Sequence, residues 1–256
     1  MNFYERHSVE QVKKVARALG KMQARSLSKE PTAAELKQDF FKKIAAAWPM
    51  EIFRSTFKGV LAVDDSEKTK DLIDKIDSLV PTFYGSNLPT SIHRQMNFRP
   101  VLVNGDLHTG NILIDKDTRN VVSLIDFQGA HFGVGVEDLH RIAISSLTTE
   151  ERRASIPFLV KEMHDSLMEN LDGVELPYSL EKLLLISDLI FPQCALLFVG
   201  QFTSSIAKTN NDAKLSDAEK KARIEVMMDK IIGTLEDVIQ IIAKNEKHMA
   251  NLKLVD

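Results

Sequence analysis

Three oxygen-bearing side chains in the middle of the chain have the types and spacing that a divalent-cation site requires. Asp106 and Asn111 are five residues apart in a glycine-containing segment, a pattern that favours a loop over a helix face. Asp126 follows a β-branched apolar run, so its carboxylate is expected at a strand end beside that loop. One carboxylate and one carboxamide oxygen suit Mg²⁺, whose other ligands are commonly phosphate oxygens. The second carboxylate is then left to take or orient the proton of an attacking hydroxyl.

Short strands are predicted around these residues, within a chain that is otherwise helical. Residues 101–103, 111–114 and 121–125 are apolar or β-branched runs, and the polar segment 115–120 is typical of a hairpin loop. Helical periodicity precedes this region and returns from Glu137 to the end of the chain. The sequence therefore predicts an α+β chain that is mostly α.

Capping and proline signals set the expected helix limits. A capping box at residues 8–11 predicts a helix that ends near Leu27. A second helix is expected from Pro31 to Trp48, and a third over residues 64–80, which Pro81 should end.

The later half of the chain contains two further helix signals. The apolar stretch 189–200 is interrupted by Pro192 and Gln193 and is shorter than the roughly 20 apolar residues of a membrane span. It therefore predicts a buried helix. A second capping box, at residues 216–219, opens a long amphipathic helix.

Composition excludes several classes of protein. Of 256 residues, 44% are hydrophobic and 27% charged, which is the balance of a globular protein rather than a disordered one. The formal net charge of −3 gives no electrostatic reason to expect nucleic acid or an anionic membrane as a partner. One cysteine, Cys194, excludes an internal disulfide and fits a reducing compartment. With no signal-peptide pattern at the start, a cytoplasmic protein is expected.

The polar segments resemble the active-site loops of a known superfamily. Residues 104–111 have the sequence Asn-Gly-Asp-Leu-His-Thr-Gly-Asn, residues 125–128 are Ile-Asp-Phe-Gln, and residues 137–139 are Glu-Asp-Leu. They resemble the aminoglycoside phosphotransferase and choline kinase superfamily, within it most closely the CHK kinase-like, or ecdysteroid kinase-like, branch. The resemblance implies that residues 1–256 form the C-terminal lobe of a protein-kinase-like fold, with a small β-hairpin at the active site.

The resemblance also implies roles for individual residues. Asp106 matches the catalytic base, Asn111 and Asp126 match the metal ligands, and His108 matches a loop position assigned here to cofactor binding. Asp138 matches a structural acid that holds the segment together. The implied cofactors are Mg²⁺ and ATP, and the implied substrate is a small molecule with a hydroxyl group.

Some features depart from the family pattern. Asn104 and Gln23 stand where relatives carry histidine, and no glycine-rich phosphate loop precedes Asn104. The ATP-binding lobe is therefore expected to be absent from this chain. Two functions follow: an ATP- and Mg²⁺-dependent phosphotransferase present as a truncated lobe, or a catalytically inactive, pseudokinase-like binding or scaffold module. The face around residues 104–133 should then be uncovered and available for self-association or a partner.

The remaining reactive side chains are interpreted as structural. His131 follows the second loop and is expected to make structural hydrogen bonds rather than to contact substrate. His140, His164 and His248 are expected on exposed helix faces. Cys194 has no basic neighbour in sequence and is expected to pack as an apolar residue.

Overall fold

Helices make up most of the chain. The computed structural model describes residues 3–28, 46–84 and 86–253. The helices in these ranges are α1 (Val9–Leu27), α2 (Met50–Lys58), α3 (Glu67–Phe83), α4 (Leu88–Gln95), α5 (Val136–Ser146), α6 (Thr149–Glu169), α7 (Leu180–Asn211), α8 (Asp217–Lys244) and α9 (Glu246–Ala250). The strands are β1 (Val101–Val103), β2 (Ile112–Ile114), β3 (Val121–Leu124) and β4 (His131–Gly133), and single 3₁₀ turns occupy Gly59–Ala62 and Thr109–Asn111. The predicted α+β class, mostly α, is confirmed.

Two of the predicted helix starts are confirmed by their side-chain hydrogen bonds. Ser8 Oγ accepts the backbone N–H of Gln11 at 3.2 Å, and Gln11 Oε1 accepts the N–H of Ser8 at 3.0 Å. Ser216 and Glu219 make the same reciprocal pair at the start of α8. These contacts satisfy backbone donors that an α-helix leaves unpaired at its first turn, so both helices begin where the local sequence places them.

The predicted end of α3 is wrong. The helix continues through Pro81 to Phe83, so the loss of the single N–H donor of Pro81 does not end it. Val80 and Phe83 are buried in an apolar cluster, which holds this turn in place, and Tyr84 N–H still donates to Val80 O at 2.7 Å. The helix predicted from Pro31 to Trp48 lies largely outside the described residues.

Two small antiparallel sheets bring the polar segments together. Strand β1 pairs with β4, with Val103 opposite His131, and β2 pairs with β3 as a hairpin, with Ile112 opposite Leu124. The hairpin loop is confirmed by Asp115 N–H, which donates to Asn120 O at 2.9 Å. We call residues 104–111 the first loop and residues 125–130 the second loop. The first joins β1 to β2 and the second joins β3 to β4, so the two sheets place both loops side by side.

The apolar stretch in the second half of the chain is a buried helix, as predicted. Helix α7 is long and apolar enough to cross a membrane by length and composition, but 78% of its most apolar window is buried inside the protein. Pro192 and Gln193 lie within it, and Gln193 Nε2 donates to Ser86 O. Cys194 is buried on the same helix, which confirms its apolar packing, and burial raises the pKa of its thiol.

Two histidines predicted to be exposed are buried. His140 in α5 and His164 in α6 are buried, whereas His248 is exposed as expected. Each buried ring contacts a backbone carbonyl: His140 Nε2 lies 3.0 Å from Ser187 O and His164 Nε2 lies 3.2 Å from Tyr178 O. Every residue of α5 is buried, because other helices pack around it, so its charged residues do not mark a solvent-facing side.

Candidate functional site

The first loop makes a turn that only glycine fits. Gly105 has φ +83°, and a Cβ atom there would lie 2.0 Å from the carbonyl oxygen of Gly129 in the second loop. The left-handed conformation and the close backbone contact both exclude a side chain. Asp106 follows immediately and is partly exposed, and its N–H donates to Asn104 Oδ1 at 3.1 Å. The turn therefore directs the predicted catalytic base out of a buried loop.

Asp138, at the start of α5, holds this turn from behind. Its carboxylate is fully buried and accepts the N–H of Asn104 at 2.7 Å and of Gly105 at 3.0 Å. Burial, with the nearby charge of Glu137, raises the pKa of Asp138 to about 6 despite these two hydrogen bonds. These contacts agree with the structural role that the family resemblance implies.

Asn104 links the two loops directly. Its Nδ2 donates to the carbonyl oxygens of Ile125, at 3.3 Å, and Asp126, at 3.2 Å, while its Oδ1 accepts a hydrogen bond from the N–H of Asp106. Asp126 itself has φ +58°, an uncommon conformation for a residue other than glycine, which these bonds help to hold. The Asn104 carboxamide thus uses both its donor and its acceptor to position the two aspartates.

Asn111 and Asp126 offer oxygens that could ligate a cation. Asn111 Nδ2 donates to Asp106 O at 2.9 Å, and its backbone carbonyl accepts the N–H of Ile125 at 3.0 Å. Within the described residues, neither Asn111 Oδ1 nor the Asp126 carboxylate accepts a hydrogen bond, so both are open to a cation, and oxygens of these types suit Mg²⁺. No group of three or more His, Cys, Asp or Glu residues with metal-site geometry occurs in that part of the chain. A cation here would need further oxygens from phosphate or water.

Gln128 is a site residue that the sequence analysis did not identify. Its Nε2 donates to Asp106 Oδ2 at 2.9 Å, which joins the second loop to the predicted base. Gln128 is part of the Ile-Asp-Phe-Gln segment that carries the family resemblance, but spacing alone did not indicate that it bonds to Asp106.

Asp106 also lines a pocket of about 230 Å³ with mainly apolar walls; the other lining residues are Ala47, Trp48, Arg141, Cys194, Leu197, Phe198 and Gln201.

A buried network of charges supports the first loop from beneath. Arg141 donates to Gly105 O and, at 2.8 Å, to Glu137 Oε1, while Glu137 Oε2 lies 3.2 Å from His131 Nε2. Burial opposes the charge on Glu137, but His131 and Arg141 nevertheless keep its pKa below the ordinary value. His131 is structural, as expected. The four-residue spacing of Glu137 and Arg141 on one helix is the signal that could have revealed the pair.

His108 lies in the interior of the first loop. It is buried, its Nδ1 accepts the N–H of Gly110 at 3.0 Å, and burial lowers its pKa, which favours the neutral ring. The ring packs edge-on against Phe3 with centroids 6.1 Å apart, and Phe3 O accepts from the buried Lys230 Nζ at 2.8 Å. These contacts shape the turn that precedes Asn111. A contact between His108 and a cofactor stays a prediction.

Gln23, the other position named above as a departure from the family pattern, is fully buried on α1. Its Nε2 lies 3.5 Å from Met163 Sδ, and Tyr178 Oη donates to its Oε1 at 3.5 Å. It also packs against Gly135, just before α5, where an added Cβ would overlap the carboxamide. Gln23 therefore acts in helix packing behind the site and contacts neither loop.

The fold and these contacts define a class: an α+β protein, mostly helical, in which two short loops hold two aspartates and an asparagine beside an apolar pocket. The chain belongs to the family DUF1679, described as "Uncharacterized oxidoreductase dhs-27", which matches residues 1–246. No curated protein matches the chain. The two sheets of the described residues are antiparallel, unlike the parallel sheet of dinucleotide-binding folds. The family is described as uncharacterized, so its description bears neither for nor against phosphate transfer.

Proposed function

We propose that the chain is the acceptor-side lobe of an ATP- and Mg²⁺-dependent phosphotransferase that acts on the hydroxyl group of a small molecule. The observation that carries this proposal is the linkage of the two loops. Asn104 joins the first loop to the carbonyl of Asp126, and Asn111 bonds to the carbonyl of Asp106. Phosphoryl transfer depends mainly on positioning and electrostatics. Loops that are bonded to each other in this way can hold the reacting groups in fixed positions. The family resemblance of residues 104–128 supports the same function.

The residues of the two loops would have different roles in the reaction. Asp106 would orient or deprotonate the acceptor hydroxyl, a contribution of about 10²–10⁴-fold, with Gln128 holding one of its oxygens in place. Asn111 and Asp126 would hold Mg²⁺, which when bound neutralises charge on the nucleotide phosphates. Arg141 holds the carbonyl of Gly105, so it would act by positioning the turn that carries Asp106.

The acceptor would enter the pocket beside Asp106. Its apolar walls include Trp48, Leu197 and Phe198, and its volume of about 230 Å³ is below the range of about 300–1,000 Å³ for sites that take drug-sized ligands. A compact alcohol with an apolar body would place its hydroxyl at the carboxylate.

A binding or scaffold module remains the second candidate. No glycine-rich loop precedes Asn104 in this sequence, so these residues provide only part of a nucleotide clamp. Under this alternative the loops would bind a cation or a partner without transferring phosphate.

Metal binding tests the two proposed ligands. At about 100 times its dissociation constant, Mg²⁺ or Mn²⁺ should raise the free energy of unfolding by about 2.7 kcal/mol. Asp126→Asn should abolish this gain because it removes the anionic ligand. Asp117→Asn, which makes the same charge change in the exposed hairpin loop, should retain it. Equal gains in all three proteins, measured by thermal melting, would contradict the assignment of Asp126.

Phosphate transfer separates the two functions. We expect the chain alone, with ATP and Mg²⁺, to transfer phosphate to a panel of small alcohols only slowly, because part of the nucleotide clamp is missing. Any transfer that the chain performs should fall by about 10²-fold or more in Asp106→Asn. Metal binding that depends on Asp126, combined with transfer that does not respond to Asp106→Asn, would favour the scaffold module instead.

A further inference from the structure

A buried lysine on α8 binds the segment before α1 and the end of α5 at the same point. Lys230 is 1% exposed. Its Nζ donates to the carbonyl oxygens of Phe3 at 2.8 Å, Glu5 at 2.9 Å and Ser145 at 2.7 Å. An ammonium group has three N–H donors, so these bonds use all of them. Lys230 therefore joins residues 3–5 to the last turn of α5.

The bonds of Lys230 hold both segments firmly. Ser145 is in the last turn of α5, where backbone carbonyls have no partner within the helix and a positive charge is favourable. Burial lowers the pKa of Lys230 to about 7, so its charged form depends on the carbonyl oxygens around it. Without the ammonium group, three carbonyls would lose a donor in the interior, which is unfavourable. Lys230 thus fixes residues 3–5 against α5 and α8.

The segment that Lys230 holds places an aromatic ring between the first loop and α7. Phe3 is 1% exposed. Its ring packs edge-on against His108 of the first loop, with centroids 6.1 Å apart, and against Phe198 of α7, with centroids 5.3 Å apart. Phe198 also lines the pocket beside Asp106. Phe3 therefore supports both the loop that carries the proposed base and a wall of the pocket that would take the acceptor.

His108 connects the ring of Phe3 to the proposed metal ligand Asn111. Its Nδ1 accepts the N–H of Gly110 at 3.0 Å, and its backbone carbonyl accepts the N–H of Asn111 at 2.9 Å. A shift of the His108 ring would therefore disturb the turn that ends at Asn111. Helix α5, the other element that Lys230 holds, also bonds to the first loop. The contacts of one lysine thus reach the first loop by two routes.

We propose that Lys230 is a positioning residue of the candidate site, although its three hydrogen bonds are made to other parts of the chain. It holds Phe3 in place, Phe3 holds the ring of His108, and His108 holds the turn that presents Asn111. The inference rests on the proposed function only where it concerns the cation at Asn111. Changes at Lys230 should therefore act on the first loop, and not only on the stability of the whole fold.

Hydrogen exchange of single backbone amides in the full chain, at about pH 6 where the ammonium form of Lys230 predominates, measures this coupling without a metal. The amide of Gly110 reports on the turn. The amide of Arg119, which donates to Asp115 O at 2.9 Å in the hairpin loop, is the reference. We expect Lys230→Met to speed exchange at Gly110 by about tenfold relative to Arg119, because the turn would open locally more often. Lys221→Met removes an exposed lysine from the same helix and should leave this ratio unchanged. An unchanged ratio in Lys230→Met would contradict the proposal.

Substitutions of Phe3 test the route, since they leave its carbonyl oxygen available to Lys230. Phe3→Ala should speed exchange at Gly110 by a similar factor, whereas Phe3→Leu, which keeps an apolar side chain, should have a smaller effect. With Lys230→Met and Phe3→Ala combined, the factor should be smaller than the product of the two single factors, because both changes act through one contact. A factor equal to that product, or no response to Phe3→Ala, would overturn the route. If Lys230→Met does not fold, the response to Phe3→Ala decides the proposal.

Cation binding separates this inference from the proposed function. We expect Lys230→Met to weaken the binding of Mn²⁺ by about tenfold, and Asp126→Asn is the reference for a lost site. A natural chain that binds no Mn²⁺ would contradict the proposed function, while the exchange of Gly110 would still decide the role of Lys230. Faster exchange at Gly110 in Lys230→Met with unchanged affinity for Mn²⁺ would overturn the positioning of the metal ligand.

Discussion

At the scale of single residues, the site depends on side chains that serve the backbone of the loops. Asn104 and Asp138 use their side-chain hydrogen-bonding atoms on main-chain groups of the two loops, and Asn111 uses its Nδ2 in the same way. Asn111 Oδ1 and the carboxylates of Asp106 and Asp126, which are partly or fully exposed, are the groups that we propose contact a cation or a substrate. Buried polar side chains of this kind specify one loop geometry, because any other arrangement would leave them unpaired.

The raised pKa of Asp138 predicts a pH-dependent stability. Its value of about 6 in the folded chain lies above the ordinary 3.8, so the folded state binds this proton first as the pH falls. Relative to Asp138→Asn, the natural chain should therefore gain stability as the pH falls from about 6 to about 4, by about 3 kcal/mol in total. The difference should be constant above about pH 7.

Chemical unfolding of the natural chain and of Asp138→Asn between about pH 4 and about pH 7 measures the difference in their free energies of unfolding. Groups that titrate in the same way in both proteins cancel in this difference. A stability difference that does not change with pH would show that Asp138 titrates in its ordinary range.

At the scale of secondary-structure elements, close helix packing places α5 behind the loops. Helix α5 is buried along its whole length and carries Asp138 and Arg141, which both bond to the first loop. Helix α1 packs against both α5 and α6. The backbone of α1 approaches that of α6 at Gly20, where a Cβ atom would lie 2.2 Å from Met163 O and 2.8 Å from Leu167 N. The two helices can therefore lie this close together only because Gly20 has no side chain.

This close approach predicts the sign of a substitution in α1. Helix propensity alone favours Gly20→Ala by about 1 kcal/mol. Because the atoms in the way are backbone, α1 and α6 would have to move apart, and overpacking of this kind costs about 1–3 kcal/mol. Gly20→Ala should therefore lower the free energy of unfolding. Gly200→Ala in α7 is the control, since its Cβ would meet only the Thr56 side chain at 3.2 Å and should have a smaller effect.

Urea unfolding of the two variants decides between propensity and packing. A stabilised Gly20→Ala protein would show that the helices can separate at no net cost.

At the scale of the whole molecule, the hairpin and the second loop expose apolar side chains beside the candidate site. Leu113, Val122, Ile125 and Phe127 are all exposed, and Val122 is 66% exposed. Single apolar residues at a surface are ordinary, but several together commonly mark an interface. We therefore expect the chain to associate with itself or with a partner at this face.

Sedimentation velocity tests the association of the purified chain. Val122→Lys and Phe127→Ser should shift the chain toward a monomer, because they place polar groups in the contact. Met168→Gln is a matched control, since Met168 is 44% exposed on α6, away from the loops. A monomer at high concentration, or the same association in all variants, would argue against an interface at this face.

Local signals in the sequence determined the class of the fold and the proposed reacting groups. Capping boxes at Ser8 and Ser216 set helix starts through contacts three residues apart, and the polar segment 115–120 set the hairpin loop. Asp106, Asn111 and Asp126 were found for the same reason, because loop spacing and a strand end are properties of short segments. These features could be predicted since the interactions that produce them lie within a few residues of chain.

Only the tertiary structure decided which polar groups are buried and what they contact. From the sequence alone, Arg152 and His140 have the features of surface residues. In the folded chain Asp237, 85 residues after Arg152, supplies the counter-ion of Arg152, and Ser187 supplies a carbonyl to His140. Gln128 became a site residue only when the second loop was placed against Asp106. Burial of a polar side chain is tolerable only when a partner is in reach. That partner comes from packing between distant segments, which periodicity and spacing along one segment do not encode.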